Sequence, residues 1–202
     1  MRLDRGLIVL DVETTGTSPE TSSIIQIGVV KLSSSLEHID SFSCYVKPYT
    51  TEWTEGAFNV HHISQNFLQE KGLVLTDALE QLEKFVEYKF RDYYIAQWSA
   101  SFDNAMLKQA YQYAYGGTDY KYPYAYRVFD IASFVRLYLG SLEILPKKRV
   151  SLKDCAELLK ISIDKSRLHD ALYDAEVTAE VLVATSDLIK DAYMPYKNLV
   201  RV

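Results

Sequence analysis

The chain has 202 residues and a mass of 23.2 kDa, the size of one globular domain with a core of its own. With 48% hydrophobic and 24% charged residues it is not an intrinsically disordered chain, and no stretch reaches the roughly 20 apolar residues that cross a bilayer. A formal charge of -5 and a pI near 5.4 argue against a basic, sequence-independent nucleic-acid binder, and two cysteines, Cys44 and Cys155, against a disulfide scaffold or a multi-cysteine zinc site.

The start, Met1 to Asp4, is charged and runs straight into an apolar segment, which is unlike a secretory signal; the expected setting is cytoplasmic. Gly6 to Glu13 begins as a buried central strand and ends in carboxylates. Thr14 to Pro19 reads as a turn, Ser23 to Leu32 as a second strand, and Phe42 to Val46 as a third that stops at Pro48, an antiparallel meander. Helical spacing then takes over. Thr76 to Tyr88 carries Ala78, Leu79, Leu82, Phe85 and Val86 on one stripe, with Thr76 as the expected N-cap. Tyr93 to Trp98 is a short strand, and Asp103 to Tyr115 a helix ended by Gly116 and Gly117. Arg127 to Asp130 is a brief strand, with Asp130 capping a helix from Ile131 to Leu139. Ser151 opens another helix, Asp154 sitting where a capping box needs its partner, and the last long helix runs from about Ala171 to Ala192. Strands alternating with helices predict an α/β layered domain around a mixed sheet.

Asp11 and Glu13 stand two apart on a strand, so both carboxylates point to one face. Two adjacent negative charges are costly to desolvate, and a hard divalent cation offsets that cost. His169 and Asp174 are five apart and would lie about 140° apart on one helix. They converge only if His169 precedes the helix and Asp174 lies in its first turns. Asp103 sits at a strand-to-helix junction, where an ordinary cap is the simpler reading.

Taken in order, Asp-x-Glu on a first strand, Phe102-Asp103 at a junction and His-x4-Asp opening the last helix resemble the DEDDh family of 3′–5′ exonucleases. The DnaQ-like proofreading subunits and domains of bacterial replicative polymerases look closest. Leu10 to Gly16 is similar to the family's first motif, Ile24 to Gly28 to its next strand, Val60-His61-His62-Ile63 to its H-G-I segment, and Ala171 to Ala175 to its last motif. The resemblance implies an RNase H-like fold, a mixed five-stranded sheet flanked by helices, over a single domain of residues 1–202. It implies two Mg²⁺ or Mn²⁺ ions, Asp11 bridging both, Glu13 and Asp174 completing one site and Asp103 holding the second, with His169 as general base. It implies hydrolysis from the 3′ end of single-stranded or frayed DNA, releasing nucleoside 5′-monophosphates. Thr14, Thr15, His61 and Phe102 are then expected along the substrate, the two threonines through their backbone N–H groups. The chain departs from the family at Trp98 and Ser99, where His-Asn is frequent, at Gln26, where Glu is common, and at His62, which replaces a Gly.

Seven basic against three acidic residues between Lys147 and Arg167 lead into His169; they either guide a phosphate backbone or form a solvated face. Seven tyrosines between Tyr111 and Tyr126 fit a helix face and an amphipathic loop better than a base-stacking platform. Residues from about 190 to 202 read as a tail, free or docking. Alternatives stay open: RNA trimming, a catalytically silent docking subunit, and an all-helical phosphohydrolase built on His169-Asp170, which the strand-rich first quarter opposes. The partner expected is a nucleic acid with a free 3′ end, with a polymerase as a further candidate; oligomeric state is not legible.

Overall fold

Apolar residues at every position from Leu7 to Leu10 make β1 (Gly6–Thr14) a strand that buries both faces, and the sheet grows outward from it. β2 (Ile24–Leu32) pairs antiparallel with β1, and β3 (His38–Tyr45) antiparallel with β2. On the other side β4 (Tyr93–Gln97) runs parallel to β1, and β5 (Val128–Asp130) parallel to β4, for an order β3-β2-β1-β4-β5. The mixed five-stranded sheet and its meander are as expected. This computed structural model describes residues 2–87, 93–116, 128–144 and 150–193. Tyr88, Gly117, Arg127, the basic triplet at 147–149, the tyrosines at 120–126 and the tail after residue 193 lie outside the described residues.

Helices cover both faces. α3 (Leu75–Val86) and α4 (Ala100–Tyr115) pack on Ile8, Leu10, Val12 and Ile95. α5 (Ile131–Ser141), α6 (Leu152–Leu158) and α7 (Ala171–Tyr193) pack on Leu7, Val9 and Ala96. Two expected caps are in place: Asp130 Oδ1 accepts the Ser133 amide at 2.7 Å, and Ser151 and Asp154 form a complete capping box. No helix among the described residues is long and apolar enough to cross a membrane.

The structure corrects five local expectations. α4 begins at Ala100 rather than Asp103, so Asp103 lies inside the first turn and Ser99 takes the cap position. α3 begins at Leu75 rather than behind Thr76, because Leu75 is itself buried, and Val74 caps it without a side-chain hydrogen bond. β3 starts at His38, four residues early, since pairing with β2 uses backbone groups and tolerates polar side chains on an edge. β4 ends at Gln97, before Trp98. Two seven-residue helices between β3 and α3, α1 (Glu55–His61) and α2 (Gln65–Lys71), were not expected; Thr54 and Ser64 cap them.

A very close approach joins β2 to α7. A Cβ added at Gly28 would stand 2.1 Å from the Ala171 carbonyl carbon and 2.2 Å from the Leu172 nitrogen. Only a bare backbone lets the first turn of α7 rest on the strand. Gly28→Ala is therefore expected to destabilise the fold by about 1–3 kcal/mol. Urea unfolding measures this; parental stability would mean that α7 tolerates a side chain beneath it.

Candidate active site

Asp11 and Glu13 follow Leu7 and Val9 on the face of β1 covered by α7. Across the antiparallel pair, Asp11 stands opposite Gly28 and Glu13 opposite Gln26. The first turn of α7 therefore settles above both carboxylates and brings Asp174 with it. His169 lies in the loop before α7, as its spacing from Asp174 required, with a left-handed backbone at φ 68°. Its amide donates to Asp174 Oδ2 at 3.2 Å, and its Nδ1 lies 3.9 Å from that oxygen. Ligand atoms of Glu13, His169 and Asp174 all lie within 4.8 Å of one another.

Asp103 arrives from the other layer. It is the fourth residue of α4, almost fully enclosed, and its carboxylate accepts the Ser99 amide. Asp130 ties down the same helix start, its Oδ2 accepting the Ala100 amide at 2.9 Å, besides capping α5. β1 and β4 are parallel, so their C-terminal ends meet at one edge, and that edge is where Asp11, Glu13 and Asp103 gather.

Burial is the main force on these carboxyls, and mutual repulsion adds to it. Glu13 is pushed up to about 9 by desolvation and then by Asp174, Asp103 and Asp170. Asp103 is pushed up to about 8 by burial, against the pull of the Ser99 amide. Asp11 is raised well above the carboxylate range by burial and by Asp103, Glu13 and Asp174. Asp174 is raised by burial and restrained by His169; its Oδ1 is buried without a hydrogen-bond partner among the described residues. Such a nest holds its charges at neutral pH only with cations to balance them. All-oxygen donors with one unpaired buried lone-pair set fit hard divalent ions well, and the residues present suit a metal centre.

His61 closes α1 beside this nest, close enough that His169 helps to depress its pKa. It is only 7% exposed, and burial holds it down to about 4, so the ring is neutral. Its Nδ1 accepts the Ile63 amide at 2.9 Å, which assigns the proton to Nε2. That Nε2 is buried and has no partner among the described residues, while Trp53 and Phe58 wall the ring at 5.9 and 6.2 Å. His62 caps α1 with φ 55°, a left-handed conformation in which a Gly is at ease, which gives physical sense to the departure noted there.

The threonines divide. Thr14 Oγ1 donates to the Gly16 carbonyl at 2.7 Å and shapes the turn. Thr15 is enclosed and wholly spent within the chain: its amide donates to the Ser23 carbonyl, its hydroxyl accepts the Ser23 amide, and its carbonyl receives both the Thr54 amide and hydroxyl. The expectation that the Thr15 N–H meets a nucleotide is corrected, because that donor is already paired; Thr15 instead ties α1 to the end of β1. Phe102 packs, partly buried, against the core next to Asp103. Lys165 and Arg167 pair with Glu157 and Glu176, Arg167 also lying over the Tyr173 ring, so this part of the basic stretch is bound locally. Tyr111 is buried, while Tyr113, on nearly the opposite side of α4, is exposed and lies against Tyr49. Sequence reasoning noted Gln26 only as a departure; its position opposite Glu13 was available from strand register alone.

The sequence pattern of the RNase T family, described as exonuclease, matches residues 8–182. The chain is 31% identical over 181 residues to the DNA polymerase III subunit epsilon of Rickettsia typhi, covering 88% of this chain and 72% of that one. It is 28% identical to the 3′-5′ DNA exonuclease Cap18 of Escherichia coli, over 88% and 92% of the two chains. Against the PolC-type DNA polymerase III of Thermotoga maritima it spans only 12% of the longer protein. Among solved structures, the nuclease domain of 3′hExo, a DEDDh family member bound to rAMP, superposes with a TM-score of 0.70 at 22% identity, covering 92% of each chain.

The raised carboxyls make a prediction about stability. A carboxyl whose pKa is higher in the folded than in the unfolded chain stabilises the fold fully below its unfolded value. That contribution is lost as the pH rises through the folded value. With Glu13 near 9 and Asp103 near 8, the metal-free protein is expected to lose thermal stability steadily between about pH 5 and 9, and a divalent cation to return it at the alkaline end. Thermal unfolding in chelator across that range is the measurement; a flat profile with no response to cation would contradict the electrostatic picture of the nest.

Proposed function

The chain belongs to the RNase T exonuclease family, and from that membership we propose that it is a metal-dependent 3′–5′ exonuclease acting on single-stranded or frayed DNA ends. What supports the reading is the grouping of Glu13, His169 and Asp174 within 4.8 Å, with Asp11 and Asp103 near enough for Asp103 to raise the pKa of Asp11, inside an RNase H-like exonuclease fold. DNA is favoured over RNA because the sequence relatives named above carry DNA in their names. A polymerase partner and a cytoplasmic setting go with the epsilon-type relatives.

Asp11, Glu13, Asp103 and Asp174 would together hold two divalent ions, Mg²⁺ or Mn²⁺. Bound there, the ions supply Lewis acidity to phosphate oxygens and offset the charge of the nest. His169 turns Nδ1 towards Asp174, which leaves Nε2 to take a proton from the attacking water. A half-exposed imidazole is accessible to that water and returns the proton to solvent between turnovers. As the water oxygen bonds to phosphorus, the bond from phosphorus to the 3′ oxygen of the preceding nucleotide breaks. That oxygen takes up a proton, and a nucleoside 5′-monophosphate leaves. His61 stands along the substrate path as a neutral, enclosed wall of the site, its low pKa keeping positive charge out of that wall.

Incubation of matched 3′-labelled DNA and RNA oligomers with Mg²⁺ or Mn²⁺ tests the reading. Stepwise trimming of DNA is expected, abolished by Asp11→Ala and slowed about 10²–10⁴-fold by His169→Ala. Blocking the 3′ end should stop it. Equal trimming by parent and Asp11→Ala, or none by either, would favour a docking role; preferential loss of the RNA label would move the substrate class.

A further inference from the structure

We propose that Gln26 is a positioning residue of this site: a neutral clamp on β2 that sets the first turn of α7, and with it His169 and Asp174, against Glu13. The proposal rests on the reading of the acidic site given above. Gln26 is buried on β2 directly opposite Glu13, yet both ends of its amide reach the start of α7. Nε2 donates to Asp170 Oδ2 at 2.8 Å, and Oε1 accepts the Ala171 amide at 3.2 Å. The second oxygen of Asp170 accepts the Tyr173 amide at 3.0 Å, the N-terminal cap of α7. A single side chain therefore holds the residue that caps the helix and the first residue within it.

The clamp and Gly28 have separate tasks. The bare Gly28 sets how closely α7 approaches the strand, but a flat contact leaves the helix free to turn or slide. The two directional hydrogen bonds of Gln26 remove that freedom. Asp174 lies one turn beyond Asp170 and donates its own amide to the Asp170 carbonyl at 2.9 Å, so a rotation at Asp170 is passed on directly. His169 is the residue before.

The polarity of the clamp is specific. Its oxygen must accept and its nitrogen must donate. A carboxylate in its place would still accept from Ala171, but it would set two anionic oxygens against each other where the Nε2–Oδ2 bond now lies, beside Glu13. The Glu common at this position in the resembled family would thus leave Oδ2 of Asp170 without its donor. The amide at position 26 and the carboxylate at position 170 form a matched pair.

The matched pair can be reversed, and this provides the test. Q26E, D170N and the double variant are made in the full chain, with D11A alongside. Trimming of a 3′-labelled DNA oligonucleotide in Mn²⁺ and thermal unfolding are both measured. Q26E is expected to lower kcat about 10–100-fold with the oligonucleotide KM within about twofold, and to lower the unfolding midpoint, because a buried carboxylate then faces Asp170; the double variant is expected to restore the midpoint along with kcat. D170N alone also lowers kcat, since the single oxygen of the new amide cannot serve both donors, Gln26 Nε2 and the Tyr173 amide. The double variant is expected to recover kcat to within about threefold. In it the amide nitrogen at position 170 donates to the carboxylate at position 26, which still accepts from Ala171. Parental kcat in Q26E, or multiplied losses in the double variant, would overturn the clamp. If Q26E does not fold, Gln26→Met replaces it: a similar loss of kcat with either the native Asp170 or the D170N change supports the clamp, and a parental kcat overturns it. If D11A trims like the parent, the exonuclease reading itself fails; if D11A is inactive while Q26E is parental, only the clamp fails.

Discussion

Four carboxylates held together at the dry edge of a sheet set the terms for everything else in this molecule. Burial is the largest force raising Asp11, Glu13 and Asp103 above the carboxylate range, Glu13 to about 9 and Asp103 to about 8, and neighbouring carboxylates add to it. The fold tolerates the cluster because its supports are apolar and numerous. β1 is buried along nearly its whole length, with Val12 still in the core between Asp11 and Glu13, so the carboxylates are carried by a strand that apolar packing holds in place. The cost of the nest is met elsewhere in the fold, and its oxygen donors suit hard divalent cations. An exonuclease needs that arrangement, because the phosphodiester brings further negative charge into the same space.

Two histidines flank the nest and are kept chemically distinct by their surroundings. His169 sits half-exposed on a left-handed loop residue, its ring beside a carboxylate. His61 is enclosed by Trp53 and Phe58, has its Nδ1 occupied by a backbone amide, and is held neutral. Burial, more than its neighbours' charge, is what holds the ring of His61 neutral.

Much of this was legible in the sequence. The period of two placed Asp11 and Glu13 on one face, and the 3.6 period forced His169 off the helix that carries Asp174; both follow from local geometry. The caps at Asp130 and Ser151 were readable for the same reason. What was hidden is of two kinds. α1 and α2 are too short for hydrophobic periodicity to emerge, and β3 begins in polar residues that pair through their backbone. The other kind is long-range. The hydrogen bonds from Gln26 cross 144 and 145 positions, and nothing near Thr15 in the chain says that its donor is already taken by Ser23. Local rules assign a residue to an element; they do not say which distant atom will claim its last hydrogen bond.

Those long-range bonds share a logic. Thr15, at the end of β1, grips the start of α1 through Thr54, and Gln26, on β2, grips the start of α7 through Asp170. Both clamps are anchored on the β1–β2 pair, the most buried part of the sheet, and each holds a helix that carries or follows one of the two histidines. The carboxylates of β1 thus share a rigid base with the groups that must face them across the site. A constellation built in this way keeps its spacing when loops move, and that is the requirement for chemistry in which sub-ångström errors in placement cost rate.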